Sequence, residues 1–526
     1  MRRLWPTQIG CVIRNMRTCT LTLMPSGRSH SFSVGTLLAD ALMEMGVRLR
    51  TPCGGKGTCG KCQVQIKGIV THSSPDSEPI SADGSCSACL TYLHGNAHVC
   101  IQEETNQRDY SCPELSLDDF AGLAVDIGTT SVKLGLVNKS GEIFVLDTFL
   151  NPQRRYGDDV ISRIAAADDM AAHQRLTALI RKSIKASINY ALEKMHLPQE
   201  RIACVAFSGN TTMLYFLLGL DVASLGRAPY LAPIRDFDDL ALDLGFLPSI
   251  RVTILPVHSA FLGADLIGSL AVCYSLGYKE KTFFMDLGTN GEIFLINPQK
   301  EIFATSCAMG PALEGMNITS GMTADDGAIT HVREVNGALI YDMLGQGIPA
   351  GLCGTALIDL LSIFLKRGII EANGVIKSAP LPYPALAVER AGQKLIDLWE
   401  KIVITQKDVR QVQLAKGASL TASLRLLAVS GCAADDIKQV IIAGALGEYL
   451  DVENFRRLGF IPEFPQATYT YLGNTSLMAA ARACVHTNFM TMVRCLRDRV
   501  QEVRLVQDPG FQQLYLDCLS FPGEVK

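Results

Sequence analysis

The sequence predicts a chain of two modules, a small α+β domain followed by a long α/β core that is made of two similar halves. Three observations lead to this fold class. The 526 residues exceed what one ordinary hydrophobic core holds, crowded cysteines occur only between residues 53 and 100, and one strand-and-loop pattern appears twice further along the chain. We therefore expect a cysteine-bound centre in the first module and a site between repeated halves in the second.

The predicted elements set the boundaries of the small domain. Residues 19–32 alternate in polarity around Pro25-Ser26-Gly27 and predict a β-hairpin, and Thr36 is expected to cap a helix over residues 37–45. A glycine-rich cysteine loop and a strand at residues 62–66 follow. The complete division is an N-terminal extension (1–17), the small domain (18–102), an acidic linker (103–119), the first half of the core (120–280) and the second half with the C-terminal region (281–526).

The composition argues against several classes of function. The formal net charge of −4 leaves no basic surplus for phosphates, so nucleic acid is not an expected partner. The residues after the basic N-terminus are interrupted by Pro6, Gln8 and Gly10 before an apolar signal segment could form. No stretch approaches the roughly 18 apolar residues of a membrane-spanning helix. A cytoplasmic protein with no membrane partner is therefore expected.

The cysteine loop predicts an iron–sulfur centre. Cys53, Cys59 and Cys62 lie among four glycines, which let the backbone wrap closely around a buried anion. Their C-x5-C-x2-C spacing, followed after 26 residues by Cys89, is close to the C-x4-C-x2-C…C ligand set of plant-type [2Fe–2S] proteins. A zinc site is the alternative, although zinc thiolates usually come from two short CxxC pairs.

Three cysteines are candidates for the fourth ligand, namely Cys86, Cys89 and Cys100. We favour Cys89, because it opens the mostly apolar run of residues 90–93 and so stands at the start of a predicted strand, as in ferredoxins. Cys86 is the main alternative. The small domain is therefore expected to have a ferredoxin-like (β-grasp) fold with a [2Fe–2S] cluster as its cofactor.

A repeated motif defines the two halves of the core. Residues 123–130 (LAVDIGTT) recur as residues 284–291 (FMDLGTNG), and each copy is an apolar strand that leads into Asp, Gly and Thr. A second apolar run and a turn follow in both places, so each copy predicts a β-hairpin. A weaker echo pairs residues 205–209 with residues 440–444, again an apolar strand that ends at a glycine.

The repeated motif has the chemistry of a nucleotide site. An aspartate at a strand end, here Asp126 and Asp286, can hold Mg²⁺ through water, while the adjoining loop offers amides and hydroxyls to phosphate. Aspartates that merely cap turns are the alternative interpretation. The sequence contains no P-loop. The loop candidates are Gly128, Thr129, Thr130, Gly288, Thr289 and Asn290.

The two motifs in this order resemble the paired phosphate motifs of the acetate kinase, sugar kinase, Hsp70 and actin superfamily. The resemblance implies a core of two RNase H-like (actin/hexokinase-type) subdomains that bind ATP and Mg²⁺. Gly444 and Gly447, after the predicted strand at residues 440–442, resemble the adenosine loop of that superfamily. An ordinary strand-to-helix turn explains these two glycines equally well.

The whole chain resembles the reductive activators of corrinoid proteins. The resemblance rests on the cysteine loop, both Asp-Gly-Thr hairpins and five further segments, at residues 157–163, 209–213, 310–315, 353–359 and 414–418. It implies ATP-dependent reduction of a corrinoid protein from Co(II) to Co(I) in an anaerobic methyltransferase system, with the electron passing through the [2Fe–2S] cluster. It also implies a low-potential electron donor, such as a ferredoxin or flavodoxin, and allows a homodimer.

Two other functions fit the same modules. A small-molecule kinase with a redox-sensing iron–sulfur domain would need a general base, for which Asp158, Asp159, Asp325 and Asp326 are candidates. A nucleotide-dependent scaffold for a corrinoid protein would use its cluster only structurally. The kinase predicts ATP turnover that depends on a small substrate, and the scaffold predicts no change in the redox state of cobalt.

Overall fold

A computed structural model of the chain describes residues 18–45, 47, 49, 57, 60–100, 120–377, 387–390, 393–399, 402–444, 446 and 450–522. These residues form two compact units, one before and one after residues 101–119. Among the helices in these ranges, none combines the length and the apolar character needed to cross a bilayer.

The small unit is a five-stranded mixed sheet against which one helix packs. The strand order is 2-1-5-3-4 in chain numbering, and the first and last strands lie parallel at the centre. This is the predicted β-grasp arrangement, so the fold class of the small domain is confirmed. The elements are β1 (Thr18–Met24), β2 (Ser29–Ser33), α1 (Leu38–Glu44), β3 (Gln63–His72), β4 (Ile80–Ser87) and β5 (Thr91–Cys100).

Alternating polarity explains how this sheet forms its core. In β1, Cys19, Leu21 and Leu23 are buried, whereas the threonines between them are more exposed. Helix α1 adds Leu38 and Leu42, which stand four residues apart on its buried face. The hairpin predicted over residues 19–32 is confirmed by the antiparallel pairing of β1 with β2.

One local prediction for the small unit was wrong, and one predicted strand is longer than expected. Thr36 does not cap α1, because its hydroxyl donates instead to the carbonyl oxygen of Ser33 at 2.7 Å and the N-cap residue is Leu37. The carbonyl oxygen of Thr36 accepts a hydrogen bond from the amide of Leu93 at 2.8 Å, so the sheet holds this residue before the helix begins. The strand predicted at residues 62–66 continues to His72, since it pairs with β4 on one side and β5 on the other.

Strands and helices alternate along the large unit. The strands are β6 (Phe120–Ile127), β7 (Ser131–Asn138), β8 (Ile143–Leu150), β9 (Cys204–Gly209), β10 (Arg251–Ile254), β11 (Thr282–Leu287), β12 (Asn290–Ile296), β13 (Ile302–Ala308), β14 (Ala328–Val335), β15 (Ala338–Met343), β16 (Gly351–Leu352), β17 (Ala387–Arg390), β18 (Gln393–Trp399), β19 (Ile402–Thr405), β20 (Gln439–Ala443), β21 (Thr468–Tyr471) and β22 (Val500–Glu502). The helices are α2 (Val160–Ala166), α3 (Met170–Lys194), α4 (Thr211–Leu218), α5 (Ala223–Gly226), α6 (Ala264–Ser275), α7 (Gly354–Lys366), α8 (Gln406–Ser430), α9 (Val452–Arg457), α10 (Thr475–Val485), α11 (Phe489–Arg497) and α12 (Phe511–Asp517).

Two main sheets of the large unit share one topology. The first is ordered β10-β9-β6-β7-β8 and the second β21-β20-β11-β12-β13-β22. Each contains an antiparallel meander of three strands, a fourth strand that pairs in parallel with the first strand of the meander, and a fifth that pairs in parallel with the fourth. The second sheet also has β22 in parallel beside β13. The predicted repeat is therefore confirmed, including the weaker echo, whose two copies are β9 and β20. This is the predicted α/β core with two RNase H-like sheets.

Helices α6 and α10 connect the two halves. They pack against each other, and α10 also covers β6 and β9 although it follows β21 in the chain. Their buried side chains, such as Leu270 and Ala480, belong to a hydrophobic cluster that includes residues of both main sheets, such as Val125 and Phe284. The first turn of α10 therefore lies at the end of β6, where it can contact Asp126.

A buried carboxylate ties β14 to α7 and predicts a pH-dependent stability. Asp359 accepts hydrogen bonds from Nδ1 of His331 at 3.0 Å and from the amide of Val332 at 3.1 Å, and Nδ2 of Asn454 donates to its other oxygen at 2.8 Å. The hydrogen bond to Asp359 raises the pKa of His331 above its ordinary value. The histidine therefore stabilises the fold fully below its ordinary pKa of about 6.5 and loses this effect as the pH rises through the folded pKa.

We expect His331→Gln to lower the free energy of unfolding by on the order of 1 kcal/mol at pH 6, because glutamine keeps a donor but lacks the charge. The deficit should shrink steadily as the pH rises towards 9. Urea denaturation of both proteins across this range measures it. A deficit that does not change with pH would mean that the imidazole is neutral in the folded protein.

Candidate functional site

The two repeated aspartates stand at corresponding ends of the two main sheets. Asp126 is the last residue but one of β6 and lies opposite Lys133, and Asp286 is the last residue but one of β11 and lies opposite Glu292. The loops that follow bring the two halves into contact, since Oγ1 of Thr130 and Oγ1 of Thr289 are 2.6 Å apart. The structure therefore brings together the two motifs that the sequence predicts, and the space that they line is called the cleft.

The carboxylate of Asp126 is held by the first turn of α10. Its Oδ2 accepts a hydrogen bond from Nδ2 of Asn474 and its Oδ1 accepts one from Oγ of Ser476, both at 2.7 Å. Asn474 also caps α10 by accepting from the amide of Leu477 at 2.8 Å. Hydrogen bonds to an ionised carboxylate are stronger than neutral ones, so this turn fixes the orientation of Asp126.

Neighbouring asparagines hold the first phosphate loop in place. Nδ2 of Asn151 donates to the carbonyl oxygen of Gly128 at 2.8 Å, and Nδ2 of Asn210 donates to Oγ1 of Thr129 at 2.9 Å. Asn210 comes from the segment at residues 209–213 and caps α4, so that motif now has a structural role. In the second loop, Gly288 precedes Thr289, and Asn290 is the first residue of β12.

A fully buried arginine also supports this loop. Nη2 of Arg163 donates to the carbonyl oxygen of Thr129 at 2.6 Å, and its Nε donates to the carbonyl oxygen of Gly157 at 2.8 Å. Burial lowers the pKa of Arg163 to about 10, which still leaves it charged at neutral pH. The segment at residues 157–163 thus contributes a cation beneath the loop.

Three acidic residues that the sequence analysis did not single out also belong to the cleft. They are Asp265 in the first turn of α6, Glu292 on β12 and Glu314 after β13. Of these three, Glu292 had a local sequence signal, because it lies six residues after Asp286 on the strand that pairs with it. Asp265 and Glu314 lie outside the repeat, and although Glu314 belongs to the segment at residues 310–315 of the family resemblance, no local pattern marked its carboxyl as part of the site.

The cleft concentrates negative charge. Removal from water, followed by repulsion from neighbouring carboxylates, raises the pKa of Asp286 to about 7 and the pKa of Glu292 well above its ordinary value. Burial, with a smaller effect of Asp126, raises the pKa of Asp265 to about 7. Asp126, Asp265 and Asp286 nevertheless keep partial exposure, as expected for side chains that line an opening rather than a closed core.

Gly444 lies directly against Asp286. It follows β20 with a φ of +99°, and a Cβ at this position would be 2.7 Å from Oδ1 of Asp286. Glycine is therefore required both by the backbone and by the closeness of the carboxylate. Gly447, the second predicted residue of the adenosine loop, lies outside the described residues.

Three of the four candidate kinase bases have local structural roles. Asp159 caps α2 by accepting from the amide of Ser162 at 2.7 Å, and Asp158 pairs with Arg154 at 3.2 Å on the surface. Asp325 accepts the amide of Asp326 at 2.8 Å in the turn before β14. In the described residues, the side chains of Asp158 and Asp159 thus bond to Arg154 and to the amide of Ser162 rather than to the two phosphate loops.

In the small unit, two of the predicted cluster ligands are in contact. Sγ of Cys62 and Sγ of Cys89 lie 3.2 Å apart, well beyond the disulfide bond length of about 2.05 Å. Both are buried, and the amide of Ala88 donates to the carbonyl oxygen of Cys62 at 3.0 Å, which ties the two segments together. Converging buried thiols fit an iron–sulfur cluster. Cys53 and Cys59 lie outside the described residues.

The alternative fourth ligands are placed differently. Cys86 is buried on β4 opposite Val64, and burial raises the pKa of its thiol. Cys100 is exposed at the end of β5. Cys89 lies in a short turn just before β5, as predicted from the start of that strand. Its contact with Cys62 favours it over the other two.

Comparison with known proteins assigns all three parts of the chain. Residues 22–94 match the 2Fe-2S iron-sulfur cluster binding domain, residues 121–275 match the RACo middle region, and residues 280–526 match the C-terminal ASKHA domain of RACo. These matches confirm the ferredoxin-like domain and the ATPase-type core, and they support a [2Fe–2S] cluster and ATP as cofactors.

Individual relatives agree with this assignment. The corrinoid activation enzyme RamQ of Eubacterium limosum is 33% identical over 579 aligned positions, which cover 93% of this chain and 97% of the relative. The [Co(II) methylated amine-specific corrinoid protein] reductase of Methanosarcina barkeri is 29% identical over 300 positions, about half of each chain (52%). A solved reductive activator for corrinoid, iron-sulfur protein has the same fold, with a TM-score of 0.70, 23% identity and coverage of 96% of this chain and 98% of its own. The chain therefore belongs to the RACo family of corrinoid activation enzymes.

Proposed function

We propose that this chain uses ATP to return a corrinoid protein from Co(II) to Co(I), with the electron delivered through a [2Fe–2S] cluster in its small domain. The relatives named above as a corrinoid activation enzyme and as a reductase of a Co(II) corrinoid protein support this reaction. The observation that carries the proposal is the presence in one chain of two contacts, between the sulfurs of Cys62 and Cys89 and between the phosphate-loop hydroxyls of Thr130 and Thr289.

The cluster would be held by Cys53, Cys59, Cys62 and Cys89. When bound, such a centre supplies one electron at low potential, roughly −400 mV in plant-type ferredoxins. Cobalt of a Co(II) corrinoid is hard to reduce at that potential, and each 59 mV of deficit lowers the equilibrium constant about tenfold. The transfer therefore needs a second source of free energy, which ATP would supply.

The cleft would hold ATP and Mg²⁺. Gly128, Thr130, Gly288 and Thr289 would offer amides and hydroxyls to the phosphates. In the described part of the chain, no three acidic, histidine or cysteine side chains converge to enclose a bare metal ion. Carboxylates suit Mg²⁺, which usually keeps several waters and binds together with nucleotide phosphates. Closure of the two halves around the nucleotide would then couple ATP to the redox step.

The partners follow from the same proposal. The electron acceptor is a corrinoid protein of an anaerobic methyltransferase system. The donor that refills the cluster is a low-potential protein, such as a ferredoxin or a flavodoxin, and the family resemblance allows a homodimer.

The test follows the cobalt spectrum under anaerobic conditions. The purified protein is mixed with a low-potential reductant and a Co(II) corrinoid protein from the same host, with and without Mg-ATP. Co(I) should appear only when the cluster and Mg-ATP are both present. Cobalt that stays Co(II) despite a reduced cluster and bound ATP would contradict the proposal, and ATP turnover that depends on an added small substrate would point to a kinase instead.

A further inference from the structure

A carboxyl group is fixed at the contact between the two phosphate loops. Glu314 ends a short turn of residues 311–314, and this turn is bounded by Gly310 and Gly315, whose φ angles are +72° and +76°. A Cβ at Gly315 would lie 2.4 Å from the carbonyl oxygen of Met322, so no other residue fits there without a shift of the backbone. The glycine-flanked turn thus fixes where the Glu314 carboxyl stands.

The Glu314 carboxyl lies at the end of a chain of hydroxyl groups contributed by both halves. Oγ1 of Thr289 donates to Oε2 of Glu314 at 2.7 Å, and Oγ1 of Thr130 lies 2.6 Å from Oγ1 of Thr289. Thr289 donates its only hydroxyl proton to Glu314, and the hydroxyl of Thr130 also interacts with this carboxyl, so both hydroxyls converge on Glu314. Protons can therefore move along this chain towards Glu314.

The charges around Glu314 are mixed. Removal from water raises its pKa, whereas hydrogen bonds from Thr289 and Thr130 and the charges of Lys133 and Arg154 act in the opposite direction. Glu314 in turn makes a small contribution to the raised pKa of Asp286. Glu314 is only partly buried as a residue, which is compatible with the approach of a water molecule.

We propose that Glu314 is the general base for ATP hydrolysis, an inference that rests on the proposed ATPase activity. An ionised carboxylate repels the γ-phosphate and does not bind it directly, so a neutral water fits between them. Oxygen of that water bonds to the γ-phosphorus while the bond from this phosphorus to the bridging β,γ-oxygen breaks, which yields ADP and phosphate. The proton of the water passes to Oε2 of Glu314, directly or through the hydroxyl of Thr289.

The other cleft carboxylates are less suited to this role. Both oxygens of Asp126 are occupied by donors from α10. Asp286 lies against Gly444 and Glu292 lies on the strand behind it, next to Gly291, whereas only Glu314 contacts the hydroxyl chain that joins the two loops. The segment at residues 310–315, which belongs to the family resemblance, thereby receives a chemical role.

Glu314→Gln tests the proposal, because glutamine has the same shape and can still accept from Thr289 but takes up no proton. ATP affinity should be retained, while the rate of phosphate release at saturating ATP falls by about 10²–10⁴-fold. The rate of the wild-type protein should also fall as the pH drops through the pKa of Glu314, and this acid limb should be absent in the variant. Glu314→Asp should recover part of the rate.

Glu280→Gln is the matched control, since Glu280 is an exposed carboxylate paired with Lys300 at 3.4 Å. Its rate and pH profile should equal those of the wild type. Glu314→Gln with wild-type turnover, or with weakened ATP binding and an unchanged acid limb, would overturn the proposal. The cobalt assay on the wild-type protein separates this proposal from the proposed function. If the wild type reduces cobalt while Glu314→Gln hydrolyses ATP at the normal rate, only the role of Glu314 is overturned. If the wild type does not hydrolyse ATP, the role of Glu314 and the proposed function are both overturned.

Discussion

Serine in place of Cys62 or Cys89 is expected to abolish cobalt reduction while ATP binding persists. Thiolates hold iron–sulfur clusters, and these two sulfurs lie 3.2 Å apart in the core of the small unit, so each variant removes one of two converging donors. The large unit has its own hydrophobic clusters and should keep its nucleotide site. Iron and sulfide content, visible absorption and the cobalt assay of anaerobically purified variants measure the effect.

Cys86→Ser and Cys100→Ser are the matched controls for that prediction. Both should keep the cluster absorption, although Cys86→Ser should lose some stability because a hydroxyl replaces a buried thiol. Loss of the cluster in Cys86→Ser, with retention in Cys89→Ser, would reverse the assignment of the fourth ligand. Zinc without iron or sulfide in the wild-type protein would rule out electron transfer through this centre.

The sequence could predict the parts of the fold in which apolar and polar residues alternate over a short stretch of chain. The Asp-Gly-Thr motif predicted two hairpins, because alternating apolar residues and a tight loop are encoded within about ten positions. The hairpins also predicted that Asp126 and Asp286 would lie at the ends of corresponding strands, which is where the structure has them. The cysteine spacing likewise predicted a contact, between Cys62 and Cys89, that the structure contains.

The supporting residues of the cleft could not be predicted in this way. Asn474 and Ser476 reach Asp126 across 348 and 350 residues of chain, so their pairing depends on how α10 crosses to the first sheet. Asp265 lies in the first turn of α6, and Glu314 ends the short turn of residues 311–314. Neither residue belongs to the repeated motif. The prediction that Thr36 caps α1 was wrong for a related reason, because the sheet pairing through Leu93 overrides the local capping preference of threonine.

Asp286→Asn is expected to stop ATP hydrolysis and, without nucleotide, to stabilise the fold. Burial and repulsion by Asp126 and Asp265 raise the pKa of Asp286 to about 7, so its negative charge is unfavourable in the folded protein. Asparagine keeps the shape and removes the charge. The same charge would help to hold Mg²⁺ with its water, so hydrolysis should fall by about 10²–10³-fold, as when one electrostatic group leaves an active site.

The gain in stability should depend on pH in one direction. Between an ordinary pKa of about 3.9 and the raised folded pKa, the folded chain binds more protons than the unfolded chain, so the wild type loses stability as the pH rises. The variant lacks this titration. Its free energy of unfolding should exceed that of the wild type by on the order of 1 kcal/mol at pH 8, after allowance for solvent in the cleft, and the two should converge near pH 4. Denaturant unfolding without nucleotide at both pH values measures the difference.

Asp126→Asn gives the matched comparison, because this aspartate occupies the equivalent place in the first half but is held by donors. Its oxygens accept from Asn474 and Ser476 at 2.7 Å each. The amide group of asparagine would turn a donor towards one of them, and the loss of a hydrogen bond to a charged group costs about 1.5–3 kcal/mol. Both variants should therefore lose ATP hydrolysis while their stabilities change in opposite directions. Destabilisation by Asp286→Asn would contradict the repulsion argument, and full hydrolysis in either variant would remove that aspartate from the nucleotide site.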